Sequence, residues 1–307
     1  MLGEVGIHAR ARLEEEVEAA FAKTAPATAV VLVSDFVFSP AKGVEAKEFL
    51  RKQEVRIKEA IEQRQATLPD FTVALVAADS DFDGTYYTRR APADGREKKV
   101  QYEGQRPYYY LVAGPQAIVL QTAQVLERES RGETAFFSPT TQSLPVELVE
   151  ARGDRSEGYY RIVQGTVVPT LTDAKLANGG KYDDRLRVHL RADLSGLPSP
   201  ERDLMRASGE TGFEVVEIDA LPRSARPMTH EIVLEYDGRR IYPATVELAV
   251  PRPAVASLRS RYLDDDIAGP STFPGKTFGL QQLVEGIAAA YATHEREPLA
   301  MLSFQIQ

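Results

Sequence analysis

The residues best placed to do chemistry are the acidic run Asp79-Ser80-Asp81-Phe82-Asp83-Gly84-Thr85, which follows an apolar stretch. Asp79, Asp81, Asp83 and Gly84 match the first, third, fifth and sixth positions of a calcium loop. The twelfth position, which needs a bidentate carboxylate, is Arg90, so a complete EF-hand is excluded. A simpler site for a divalent cation, Mg or Ca, on Asp79, Asp81 and Asp83 is the remaining metal reading; no cofactor is firmly implied. Against it stands the plain reading of Asp and Gly as turn formers at the exit of a strand. A second cluster interleaves aromatic and basic residues: Arg106-Pro107-Tyr108-Tyr109-Tyr110, with Tyr86, Tyr87, Arg89 and Arg90 shortly before it. Tyrosine at alternating strand positions packs a sheet, tyrosine with arginine is also the composition of protein-interface anchors, and the same residues could stack bases and contact phosphates. Arg89, Arg90, Arg106, Tyr108 and Tyr109 are therefore the candidate binding residues.

Other motifs fail on counting. Pro274-Gly275-Lys276-Thr277-Phe278-Gly279 invites a phosphate-loop reading, but five residues separate Gly269 from Gly275 where four are required, and no apolar strand precedes it. Thr277 is expected instead to cap a helix starting at Phe278. The four histidines, His8, His189, His230 and His294, stand outside metal-ligand spacing of one another. With no cysteine in the chain, disulfides, thiolate metal sites and cysteine nucleophiles are closed. The net charge of −8 opposes broad attraction to nucleic acid or anionic membrane.

The 307 residues fit about two domains, and 43% hydrophobic with 27% charged residues is the balance of a folded, water-soluble chain. Neither a signal-peptide pattern in the first 24 residues nor a run of about 18 apolar residues is present, which predicts a cytoplasmic protein with no membrane contact. Helical spacing marks 11–23, 44–66 and 115–128. The continuous apolar runs 29–40, 71–79 and 107–114 read as strands covered on both faces, as in a parallel sheet. After Pro145 the texture turns to period-two segments: 159–168, 185–194, 213–221, 230–238 and 239–250. In 185–194, Leu186, Val188 and Leu190 face one way while Arg187, His189 and Arg191 face the other. Asp237-Gly238 between the last two segments predicts a hairpin. A helix over 278–294 follows, and the last apolar segment is expected to return to a sheet. The expected fold is thus an α/β domain, 1–145, with a layered, mostly parallel sheet, then a β-rich domain, 146–307, with an antiparallel β-sandwich and a C-terminal helix.

Two resemblances bear on function. Asp81-Phe82-Asp83-Gly84-Thr85 resembles the nucleophile loop of haloacid-dehalogenase-like phosphatases. That likeness implies Asp81 as nucleophile, Asp83 as proton handler and Asp79 as a further metal ligand in a divalent-metal phosphohydrolase, although Ala78-Asp79-Ser80 intervenes where the family's aspartate follows the strand at once. The succession of apolar runs and charged helix over 29–114, with Ser34-Asp35-Phe36 ending a strand, resembles the second half of a von Willebrand factor A domain, and the rest is similar to uncharacterised bacterial proteins that join such a half domain to a β-rich region and a closing Thr-Phe-Gly-Leu helix start, here Thr277 to Leu280. The family's Asp-x-Ser-x-Ser metal motif is missing. This resemblance implies a non-catalytic domain that docks onto other protein subunits, often in bacterial multiprotein or defence-related assemblies. Protein interaction is the leading expectation, phosphohydrolase the alternative, and a nucleic-acid-associated subunit the weaker one.

Overall fold

A computed structural model describes residues 13–38, 44–87, 99–150, 156–179, 181–194, 197, 206–208, 212–222, 227–252, 255–263, 271, 275–294 and 297–307. The chain divides into two compact units. Unit 1 comprises Met1–Pro139 and Pro253–Arg296, and unit 2 comprises Thr140–Arg252 and Glu297–Gln307. The closing helix, assigned by sequence to the second half, packs in unit 1.

Unit 1 contains α1 (Leu13–Lys23), β1 (Val30–Ser34), α2 (Ala46–Gln65), β2 (Phe71–Tyr87), β3 (Lys99–Pro115), α3 (Gln116–Ser130) and β4 (Glu133–Phe137). After the excursion through unit 2 it receives the short strands β14 (Tyr262–Leu263) and β15 (Thr277–Phe278) and then α4 (Leu280–Ala290). Its main sheet has the order β1-β3-β2-β4, and every neighbouring pair is antiparallel. This corrects the expected layered, mostly parallel sheet. The apolar halves of β2 and β3 are buried on both faces, as their runs predict, but β1 is an edge strand that leaves Val31 and Val33 exposed; strand direction is a separate matter that burial does not encode. Alternate residues Phe71, Val73, Leu75, Tyr109, Leu111 and Ala113 join one core with Phe21, Ile57, Ile61, Leu283 and Ile287 from α1, α2 and α4. The intervening Ala74, Val76 and Val112 are equally buried, on the side where α3 brings Val119, Leu120 and Ala123. Helices thus cover both faces of an antiparallel sheet.

Thr277 does not cap α4. The cap position is Gly279, at φ +83°, where a Cβ would stand 3.0 Å from Phe38 and Leu50. Thr277 lies in β15 and is buried.

Unit 2 holds two sheets. One has the order β10-β13-β16-β8-β7, built from β10 (Arg206–Ser208), β13 (Ala244–Val250), β16 (Ala300–Ile306), β8 (Thr170–Lys175) and β7 (Tyr159–Val163), with β5 (Gln142–Ser143) also beside β16. β16 runs parallel to β5 and β8, so this sheet is mixed. The other sheet, β11-β12-β9-β6, is antiparallel and uses β11 (Phe213–Ala220), β12 (His230–Tyr236), β9 (Leu186–Ala192) and β6 (Val146–Leu148). Phe213 of one sheet meets Phe304 of the other edge-to-face at 6.0 Å, the contact of a β-sandwich interior. The expected hairpin at Asp237-Gly238 is not formed. β12 pairs with β11 and β9, whereas β13 pairs with β10 and β16 of the opposite sheet, so residues 237–243 cross between sheets.

Candidate interaction arm

β2 and β3 are each 17 residues long and pair without a register shift from Phe71↔Pro115 to Tyr87↔Lys99. Their neighbours are short: β1 covers only Tyr109–Ala113, and β4 only Val73–Ala77. From Asp79↔Pro107 to Tyr87↔Lys99 the two strands therefore run on alone, a ribbon of nine pairs, roughly 30 Å long at strand rise. The segment expected as a polar loop, 79–90, is strand as far as Tyr87, and Arg89 and Arg90 lie outside the described residues. An isolated two-stranded ribbon is marginal in water, so what holds this arm matters.

Its base is pinned on both faces. Arg261 grips Asp79 with two hydrogen bonds, Nη1 to Oδ1 at 2.8 Å and Nη2 to Oδ2 at 3.0 Å. The Asp79 bond holds the Arg261 guanidinium still more firmly in its charged form. On the opposite face Arg106 donates to Asp35, just past β1, at 3.1 Å. The same guanidinium lies over the rings of Tyr86 at 4.5 Å and Phe82 at 5.1 Å. Arg106 pairs with Ser80, six residues from Tyr86, which in a straight strand is about 20 Å. Contact between the two requires the ribbon to coil toward this face, as strongly twisted two-stranded ribbons do.

The arm is two-faced because its sequence alternates. Phe82 is opposite Gly104, and Gly84 is opposite Tyr102. Each ring folds over the glycine two residues on: a Cβ at Gly84 would stand 3.2 Å from Phe82 Cζ, and one at Gly104, whose φ is +154°, 2.8 Å from the Tyr102 hydroxyl. The two rings stack with centroids 6.3 Å apart. Phe-Asp-Gly on one strand thus answers Tyr-Glu-Gly on the other. Between them, on the opposite face, Asp83 stands directly across from Glu103. Both are exposed, and among the described residues neither forms an ion pair; Lys99, farther along the same face, lies over the Tyr87 ring. Asp81 accepts a hydrogen bond from its cross-strand neighbour Gln105.

Asp79, Asp81 and Asp83 consequently share a face but do not converge. Each step of two residues moves about 6.7 Å along a strand, so Asp79 and Asp83 stand about 13 Å apart, whereas oxygens on one calcium, each 2.3–2.6 Å from the ion, lie within about 5 Å of one another. Asp79 is also bound to Arg261. Among the described residues no group of three or more His, Asp or Glu is arranged to hold a metal. The phosphatase-like roles of Asp81 and Asp83 meet the same geometry: both lie in a regular ladder, and the family's strand-to-loop exit is not formed.

Of the aromatic candidates, Tyr108 is half-buried on the Arg106 face and meets Tyr110 edge-on at 5.3 Å. Tyr109 is not a surface residue. It is fully buried, its hydroxyl shares a 3.0 Å hydrogen bond with Thr277 Oγ1, and burial pushes its phenol up to about 12. The sequence does not show Arg261, Tyr102, the partners of Asp35 and Phe82, Asp83 against Glu103, or the arm itself. The signal that would have found it is the aromatic–acid–Gly triplet repeated at 82–84 and 102–104.

No family model, curated protein or solved structure matches this chain. Among the described residues no helix is long and apolar enough to cross a membrane.

Proposed function

We propose that the chain is a non-catalytic protein-interaction subunit that binds an extended, basic segment of a partner protein on the acidic face of the β2–β3 arm. The observation that carries this reading is the exposed Asp83–Glu103 pair. Like charges directly opposed across a ladder destabilise it, and among the described residues neither of these two forms an ion pair. A lysine- or arginine-bearing segment supplies the missing charge. Backbone groups on the outer edges of the arm, which among the described residues have no further strand beside them from Asp79 to Tyr87 and from Lys99 to Pro107, can pair with an extended chain in the manner of strand addition.

The same acidity argues against a phosphate backbone as the ligand. Arg106, the strongest of the basic candidates, is already engaged by Asp35, Phe82 and Tyr86. The test is recovery of a partner on the tagged full chain, repeated with Asp83→Lys plus Glu103→Lys. The double reversal is expected to release the partner, and wild-type binding to weaken as salt rises. Equal recovery by the double variant refutes the reading.

A further inference from the structure

Unit 2 contains a second constellation that the arm does not use. On the outer face of the β11-β12-β9-β6 sheet, His189 is 6% exposed, and both of its ring nitrogens meet carboxylates. Nδ1 is 3.0 Å from Glu231 Oε1 of β12, and Nε2 is 3.1 Å from Glu157 Oε2 of the segment preceding β7. A neutral imidazole has one N–H and one lone pair, so it can donate to only one of the two; the doubly protonated ring donates to both. Each carboxylate offers its second oxygen to an arginine of β9. Glu157 Oε1 accepts from Arg187 at 2.9 Å, and Glu231 Oε2 lies 3.6 Å from Arg191.

The rest of the surroundings leave the ring dependent on these two contacts. Arg187 is also met by Glu217 of β11 at 3.2 Å and Glu235 of β12 at 3.7 Å, and its guanidinium lies over the Tyr182 ring at 4.6 Å. From β6, Glu147 stands opposite Arg191 and is exposed. The Tyr160 hydroxyl accepts the backbone N–H of His189 and donates to the Val149 carbonyl, so it is engaged away from the ring. Residues Ser156–Gly158 are seated closely on β9. Arg187 N donates to the Glu157 carbonyl at 2.8 Å, and a Cβ on Gly158, at φ +92°, would stand 2.7 Å from Leu186.

We propose that His189 is a pH-responsive clamp: its doubly protonated ring bridges Glu231 to Glu157 and, with Arg187, holds the Ser156–Gly158 segment on the sheet, and loss of one ring proton leaves a hydrogen bond to only one of the two carboxylates, so the bridge is broken. Arg187 keeps Glu157, Glu217 and Glu235 when this happens, so the sheet stays paired and the segment loses the histidine contact while retaining its arginine and backbone contacts.

Hydrogen exchange of residues 156–160 in the full chain, followed from about pH 5 to about pH 8, the range in which histidine side chains change charge, and corrected for intrinsic rates, tests this. Loss of one charge-assisted hydrogen bond predicts that wild-type protection falls about tenfold or more across the range. His189→Gln, which cannot titrate, is expected to show no such fall. Glu157→Gln serves as the second variant, because its amide can donate to a neutral ring; its protection is also expected to stay flat. A flat wild-type profile, or the same fall in His189→Gln or Glu157→Gln, overturns the clamp.

Discussion

Glu103→Lys should tighten the arm while removing its function. Directly opposed residues in an antiparallel ladder place their charges about 5.5 Å apart, where two carboxylates in water repel by about 0.8 kcal/mol. Replacing Glu103 with lysine turns that repulsion against Asp83 into an attraction of the same size, a swing of about 1.5 kcal/mol. At an ionic strength of about 0.01 M, where screening over this distance is slight, the arm's opening equilibrium should therefore fall about tenfold. Near physiological salt roughly half the swing survives, and the effect shrinks to about threefold. Amide exchange of residues 99–106 in wild type and variant, measured at both salt concentrations, reads this directly. Exchange that is unchanged or faster in Glu103→Lys at low salt, or an effect indifferent to salt, would show that Asp83 and Glu103 do not face each other as unpaired charges.

Other perturbations probe the frame that carries the arm. Gly286→Ala places a Cβ 2.6 Å from the Glu54 carbonyl where α4 crosses α2, and is expected to lower unfolding stability by about 1–3 kcal/mol in urea titrations. Tyr109 and Tyr160 are pushed by burial from the ordinary 10 up to about 12. Between those values the unfolded chain releases protons that the folded chain keeps, so stability is full below pH 10 and is lost as pH rises to 12, by up to about 3 kcal/mol for each tyrosine. Denaturant midpoints along an alkaline series should show this decline, and Tyr109→Phe should remove one share of it. His230 is shifted the other way: burial holds it below its ordinary 6.5 against the pull of Asp193. The unfolded chain therefore takes up this proton first, stability is present above pH 6.5 and falls as pH drops below it, and His230→Gln should flatten that part of the acid limb.

The elements were legible in the sequence wherever burial alone decides them. The runs that became the proximal half of β2 and the proximal half of β3 are apolar because helices cover both faces, whereas β1, equally apolar, is an edge strand with Val31 and Val33 exposed. The alternation of Leu186, Val188 and Leu190 with Arg187, His189 and Arg191 correctly separated the two faces of β9, since Leu186, Val188 and Leu190 are fully buried and the polar side forms an ion-pair network. Long-range pairing was not legible. Nothing in 71–79 states whether β3 runs with it or against it, and Asp237-Gly238 has the chemistry of a tight turn yet joins two different sheets.

The arm was missed for a local reason. Asp and Gly at 79–85 carry strong turn propensity, and that propensity is overridden because each glycine lies beneath an aromatic ring and each end of the base is fixed by an arginine. Those arginine contacts join residues far apart in the chain, Asp79 with Arg261 and Arg106 with Asp35, and no window of sequence contains them. Tyr109 illustrates the converse. In sequence a Tyr-rich run fits both sheet packing and an interface, and its place opposite Ala77 and beside Thr277 puts Tyr109 in the core.

The central claim is that the acidic face of the arm contacts a partner protein. A photo-crosslinking residue at Gln101, exposed on that face, tests it in the native host, with the same residue at the exposed Ala289 of α4 as reference. The account predicts a discrete protein adduct from Gln101 that disappears with Asp83→Lys plus Glu103→Lys and is absent from Ala289. Adducts from Ala289 alone, or a Gln101 adduct that survives the double charge reversal, would contradict it.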